Sequence, residues 1–278
     1  MSILEYIWAS LTGTGVVLFV LLGPGLLLAL IMNTVAAFVE RRAYNLLGKR
    51  LFLSLFAWLG TIVHESGHAL FCILFGHRIT QIRFFDPSHH GGSLGSVSHS
   101  FNPHNPYHLV GNFFIGIGPI ILGAAVIYWS SYLLLGKEVT QAFSSVQMSS
   151  DALLSTAAFS ELGGVVWGAL SNLADTLFAS ETLLGWRFYV FVYIAFSVGS
   201  SITLSRSDIH GALRGFVALA LILFVVQLCT LWMGEHAGQV ALSLSQLFAP
   251  FYVVLIFALS VNALAAVFLW VLGLFLPG

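Results

Sequence analysis

Five consecutive residues carry the sharpest chemical pattern in this chain: His64-Glu65-Ser66-Gly67-His68. On a helix, positions i and i+4 lie on one face, so both imidazoles can reach one Zn²⁺ ion. Glu65 sits between them, where its carboxylate can take a proton from water that the metal activates. From the chain's own His and Glu content, H-E-x-x-H should arise by chance about 0.01 times in this length. The plain alternative is a pair of buried histidines satisfied by neighbouring helices. It loses weight in an apolar segment, where ionisable side chains are costly and are functional candidates by default.

The surroundings of the motif are those of a membrane protein. The 278 residues are 58% hydrophobic and 8% charged, with mean hydropathy +0.95. Soluble domains carry about 25% charged residues. Ten Lys+Arg and eleven Asp+Glu cannot cover a water-facing surface, and no basic face for nucleic acid exists. Cys72 and Cys229 lie in apolar runs and form no disulfide framework. The start lacks a basic segment, so the first apolar run is expected to remain as a span.

Apolar runs long enough to cross a bilayer predict about six helices, near 16–38, 51–75, 109–135, 186–204, 212–233 and 248–276. The fold class is therefore an all-α polytopic membrane protein, one transmembrane domain over 1–278. Its core lies at about 51–215, with accessory spans at 15–39 and 212–276. Between the second and third runs, Ile79–Phe85 and Leu94–Ser98 read as strands around Gly91-Gly92, a membrane-associated β-hairpin. Residues 136–185 mix apolar and polar types and predict short interfacial or re-entrant helices.

A catalytic zinc wants three protein ligands and an open position. Spans two and four run parallel, so Asp208, just after the fourth, falls on the same membrane side as His64 and His68. Asp175 and Glu161 fall on the other side. Asp86, His89, His90 and His210 share the correct side and stay open as third ligands. Asp208 could instead pair with Arg206 or cap the fifth span. His89, His90, His99, His104 and His108 lack a fixed ligand spacing and read as a polar loop rather than a second metal site.

His64-Glu65-Ser66-Gly67-His68-Ala69 in an apolar helix resembles the site-2 protease family of intramembrane zinc metalloproteases. The likeness extends over roughly 55–215. It takes in Gly76 and the hairpin with Gly91-Gly92, then Gly116-Ile117-Gly118-Pro119, and loosely Asp208 with Gly211. The resemblance implies a three-helix core that holds zinc by His64, His68 and Asp208, with Glu65 catalytic. It also implies a hairpin that offers an edge strand to an unwound membrane protein substrate. Two departures stand out. Ser205-Arg206-Ser207 replaces the family's Asn-Pro, and Asn112 precedes the Gly-Pro segment where the family has an Asn after it.

The expected function is thus a zinc endopeptidase cutting in or next to transmembrane segments, in a multi-pass protein of the cell membrane. Its partners would be the lipid bilayer and a membrane protein substrate. A metal-ion transporter or sensor is the second reading, and a noncatalytic membrane scaffold the third. Charge bias, six basic residues on one side against four on the other, puts the site nearer the non-cytoplasmic face. The resemblance implies the cytoplasmic face.

Overall fold

A computed structural model describes residues 2–88, 93–144, 158–233 and 235–275. The chain is mostly helical, with one small two-stranded antiparallel sheet. Among the described residues, four helices hold stretches long and apolar enough to cross a membrane: Ile3–Leu47, Pro106–Leu135, Arg206–Thr230 and Pro250–Phe275.

The first helix, α1 (Ile3–Leu47), passes through Pro24 without breaking. At 45 residues it is about 68 Å long, more than twice a bilayer core. The second expected span is a helical rod in three parts. They are α2 (Lys49–Phe52), a π-helical stretch at Leu53–Ala57, and α3 (Trp58–Leu74). The π stretch displaces backbone carbonyls from the regular ladder. Two of them find partners elsewhere: Leu55 O accepts from the Tyr193 hydroxyl at 2.5 Å, and Phe56 O accepts from Ser197 Oγ.

α3 stops at a Schellman turn. Gly76 has φ +70°, its N–H donates to Ile73 O, and the His77 N–H donates to Cys72 O at 2.8 Å. The hairpin follows at once, as β1 (Arg78–Arg83) and β2 (Ser96–Ser100). Its register pairs Ile79 with His99 and Ile82 with Val97, with an irregularity between Ile79 and Gln81. The strands lie one or two residues from the expected bounds. The expected Gly91-Gly92 turn lies outside the described residues.

α4 (Pro106–Leu135) starts from Asn105, whose side chain caps Tyr107 N–H. Then come α5 (Lys137–Ser144), α6 (Ala158–Leu177) and the single turn α7 (Ser180–Leu183). The expected short helices of 136–185 are present in the described part, although α6 runs for 20 residues.

The fourth expected span is shorter than its apolar run. α8 covers only Trp186–Gly199. Tighter turn bonds follow, from Ser201 N–H to Val198 O and from Ile202 N–H to Gly199 O, and Asn33 of α1 takes both backbone groups of Leu204. Asn33 Nδ2 donates to Leu204 O at 3.1 Å, and Leu204 N–H donates to Asn33 Oδ1 at 2.8 Å. Ser205 opens α9 (Arg206–Thr230), and α10 (Glu235–Phe275) completes the chain.

α3, α4, α8 and α9 pack together, while α1 packs on α9 and α10. Small residues make the closest crossings, as helices in lipid require. A Cβ on Gly67 would stand 2.7 Å from the backbone of Gly118 and Pro119, and one on Gly118 would stand 2.7 Å from Gly67 O. Gly116 meets the backbone of Asp208 in the same way. These glycines bring the backbones of α3 and α9 against α4.

Candidate metal centre

The α3 helix places His64 and His68 one turn apart, and their Nε2 atoms stand 3.2 Å from each other. Both rings are steered from behind by carbonyls. His64 Nδ1 lies 2.8 Å from Ser201 O, in the segment after α8, and His68 Nδ1 lies 2.7 Å from Ile115 O of α4. A carbonyl only accepts, so each Nδ1 carries the proton and each Nε2 bears a lone pair. Two lone pairs at 3.2 Å repel unless a cation or an added proton lies between them.

The Asp208 carboxylate completes the cluster. Its Oδ1 lies 3.4 Å from His68 Nε2 and its Oδ2 lies 4.0 Å from His64 Nε2. It occupies the third helical position of α9, where it closes a capping box with Ser205. Ser205 N–H donates to Asp208 Oδ2 at 2.8 Å, and Asp208 N–H donates to Ser205 Oγ. That box holds one carboxylate oxygen and leaves Oδ1 towards the histidines. Asp208 thus takes part in the capping box at the third helical position while its carboxylate also stands beside the histidines. Ser205 itself is the N-cap.

His64, His68 and Asp208 form the one group among the described residues in which three such side chains offer ligand atoms within 4.8 Å of one another. Such a group could hold a metal ion. The other candidates lie elsewhere. His210 turns its Nδ1 back to Arg206 O, and Asp86 binds Ser88. Asp175 lines a separate apolar cavity between α6, α8 and α10, and His89 and His90 lie outside the described residues.

The cluster opens into a cavity of about 720 Å³. Glu65 lines it and is 7% exposed. The loop before β2 lies on Glu65: a Cβ on Gly95 would stand 2.5 Å from Glu65 Cγ and 2.9 Å from Phe84 O. Asn112 of α4 also lines the cavity, 4% exposed, and its Nδ2 is buried without a hydrogen-bond partner.

Sequence reasoning missed several parts of this site. Asn33 pins the segment leading to Asp208, and Gly95 limits Glu65. The amide of Asn33 in an apolar run was the available signal for the first. Nothing in residue types announces the second.

Comparison with family models, with curated proteins and with solved structures finds no match for this chain.

Proposed function

We propose that the chain is a multi-pass membrane zinc endopeptidase that cleaves peptide bonds in or beside transmembrane segments. The observation that carries this reading is the pair of unprotonated Nε2 atoms facing each other beside a carboxylate. Tetrahedral ligands at Zn–N and Zn–O lengths of about 2.0–2.1 Å stand about 3.3–3.4 Å apart. The distances of 3.2 Å and 3.4 Å fit that spacing, and the 4.0 Å edge closes with a small side-chain turn. Three protein donors leave a fourth position towards the cavity, as in hydrolytic rather than structural sites.

His64, His68 and Asp208 would hold the zinc, and Glu65 would move protons. Bound zinc supplies Lewis-acid activation of water and of the scissile carbonyl. Glu65 takes the proton of the attacking water at its carboxylate and returns it to the leaving amine. The low exposure of Glu65 and the loop over it keep bulk water from competing for that proton. In this reading the runs at 51–75 and 186–204 also cross the bilayer, which gives six crossings. The bilayer then delivers membrane protein substrates to the cavity from the side.

A metal transporter would use further ionisable groups on other spans to line a path. Hydrolysis is favoured because Glu65 lines the same cavity as His64, His68 and Asp208, a proton carrier that ion passage does not need. The test expresses wild type and Glu65→Gln in one host and labels new protein N-termini. The reading expects new termini in or next to single-span segments with wild type only. Equal termini in both, or none from a zinc-loaded wild type, would defeat it.

A further inference from the structure

Three histidines outside the metal cluster form a second arrangement. His77 follows the Schellman turn of α3, His99 lies on β2, and His108 lies in the first turn of α4. His77 is 5% exposed, and its ring stacks on Phe101 with centroids 5.1 Å apart and planes at 16°. His77 Nε2 lies 2.9 Å from His108 O, and His77 Nδ1 lies 3.0 Å from His99 Nδ1. His108 Nδ1 accepts from Asn102 N–H, so its ring stays out of the chain.

The protons follow from these contacts. His108 O can only accept, so His77 Nε2 carries a proton and His77 Nδ1 carries a lone pair. The contact to His99 then needs a proton on His99 Nδ1, which leaves the lone pair on His99 Nε2. His99 lines the same cavity as His64, Glu65 and His68. It stands outside the group of three ligands. Its Nε2 has no hydrogen-bond partner among the described residues, while both neighbours along the chain of contacts are fixed. The lone pair is thus an acceptor on a ring that lines the cavity, set by His77 through Nδ1.

We propose that His99 contacts the substrate. Its Nε2 accepts a hydrogen bond from a main-chain N–H of an extended peptide segment in the cavity, and His77 is the positioning residue that fixes the tautomer. The inference rests on the peptidase reading. An exposed peptide N–H is the donor that an unwound segment offers, because a helical segment keeps its N–H groups internally paired. His99 sits on the strand next to the loop that covers Glu65, so an N–H held there registers the segment against the proton carrier.

Two measurements test it. The first is ¹⁵N NMR of histidine-labelled, metal-free protein, with His99 assigned through His99→Asn. His99 protonated at Nδ1 is expected, with a change towards the commoner Nε2-protonated form in His77→Phe. An Nε2-protonated His99 in the unmodified chain overturns the proposal and leaves the Glu65 test untouched. The second uses the inactive Glu65→Gln chain and a fluorescent single-span Leu/Ala peptide broken at its centre by Gly-Pro. N-methylation is moved along the central residues of this peptide. At one position it should weaken binding about five-fold, the worth of one neutral hydrogen bond, and have no effect when His99→Leu is added. His99→Gln, which keeps an acceptor, should restore part of the sensitivity. Binding with no position coupled to His99 sinks this inference alone. A peptide that does not bind at all sinks the peptidase reading with it.

Discussion

Replacing Gly67 with alanine puts the site geometry under direct strain. The added Cβ would lie 2.7 Å from Gly118 C and Pro119 N, all backbone that no rotamer change can move. To reach an ordinary contact near 3.4 Å, α3 and α4 must separate by about 0.7 Å at this crossing. His68 is the next residue, and its Nδ1 donates to Ile115 O on the same facing helix at 2.7 Å. The same displacement takes that bond to about 3.4 Å, beyond the hydrogen-bonding range. The imidazole then loses its orienter, which typically costs 10–100-fold in metal affinity, or about 1.4–2.7 kcal/mol. The assay is chelator competition for zinc in detergent-purified, monodisperse protein. Gly211→Ala is the matched control, because Gly211 lines the same cavity and its added Cβ would meet nothing within 4 Å. The reasoning fails if Gly67→Ala binds zinc as tightly as wild type, or if Gly211→Ala weakens binding as much.

Three further outcomes follow from the same contacts. Gly95→Ala should press Glu65 out of place and lower cleavage at least about ten-fold with zinc content unchanged, read by kcat beside metal analysis. Asn33→Leu leaves the N–H and C=O of Leu204 unpaired at about 1–3 kcal/mol each, so thermal stability should fall and zinc affinity with it. Burial, with neighbouring histidines adding to it, holds both His77 and His99 below the ordinary imidazole value of 6.5. Protons therefore bind the unfolded hairpin more readily. Hairpin stability is full above pH 6.5 and declines as pH falls from there towards the depressed native values. Protection factors for hydrogen exchange at residues 78–83 and 96–100, corrected for the intrinsic rate at each pH, should fall over that interval, and unchanged protection at lower pH would contradict it.

The sequence made the His64–His68 pair legible because i and i+4 spacing is local. Asp208 was expected from the count of crossings, and the structure places its carboxylate 3.4 Å from His68 Nε2. What positions these side chains was not legible. The orienters are the carbonyls of Ser201 and Ile115, and every residue type carries a carbonyl. The close crossings at Gly67 and Gly118 look like any small residues until the partner backbone is known. Hydropathy overran the helix that starts at Trp186: Ile202 and Leu204 are apolar, but the helix ends at Gly199, and Asn33 takes the backbone groups of Leu204. It also underran the first, because helix α1 continues through Arg41 and Arg42 beyond the apolar run.

The central claim is that His64, His68 and Asp208 hold one zinc ion beside a proton-carrying Glu65. Zinc per chain in purified protein tests it most directly, measured in wild type, His64→Ala, Asp208→Ala and Glu65→Gln. The account predicts about one zinc in wild type and Glu65→Gln, and little in the other two. A wild type that takes up no zinc, or an Asp208→Ala that keeps it, would contradict the account.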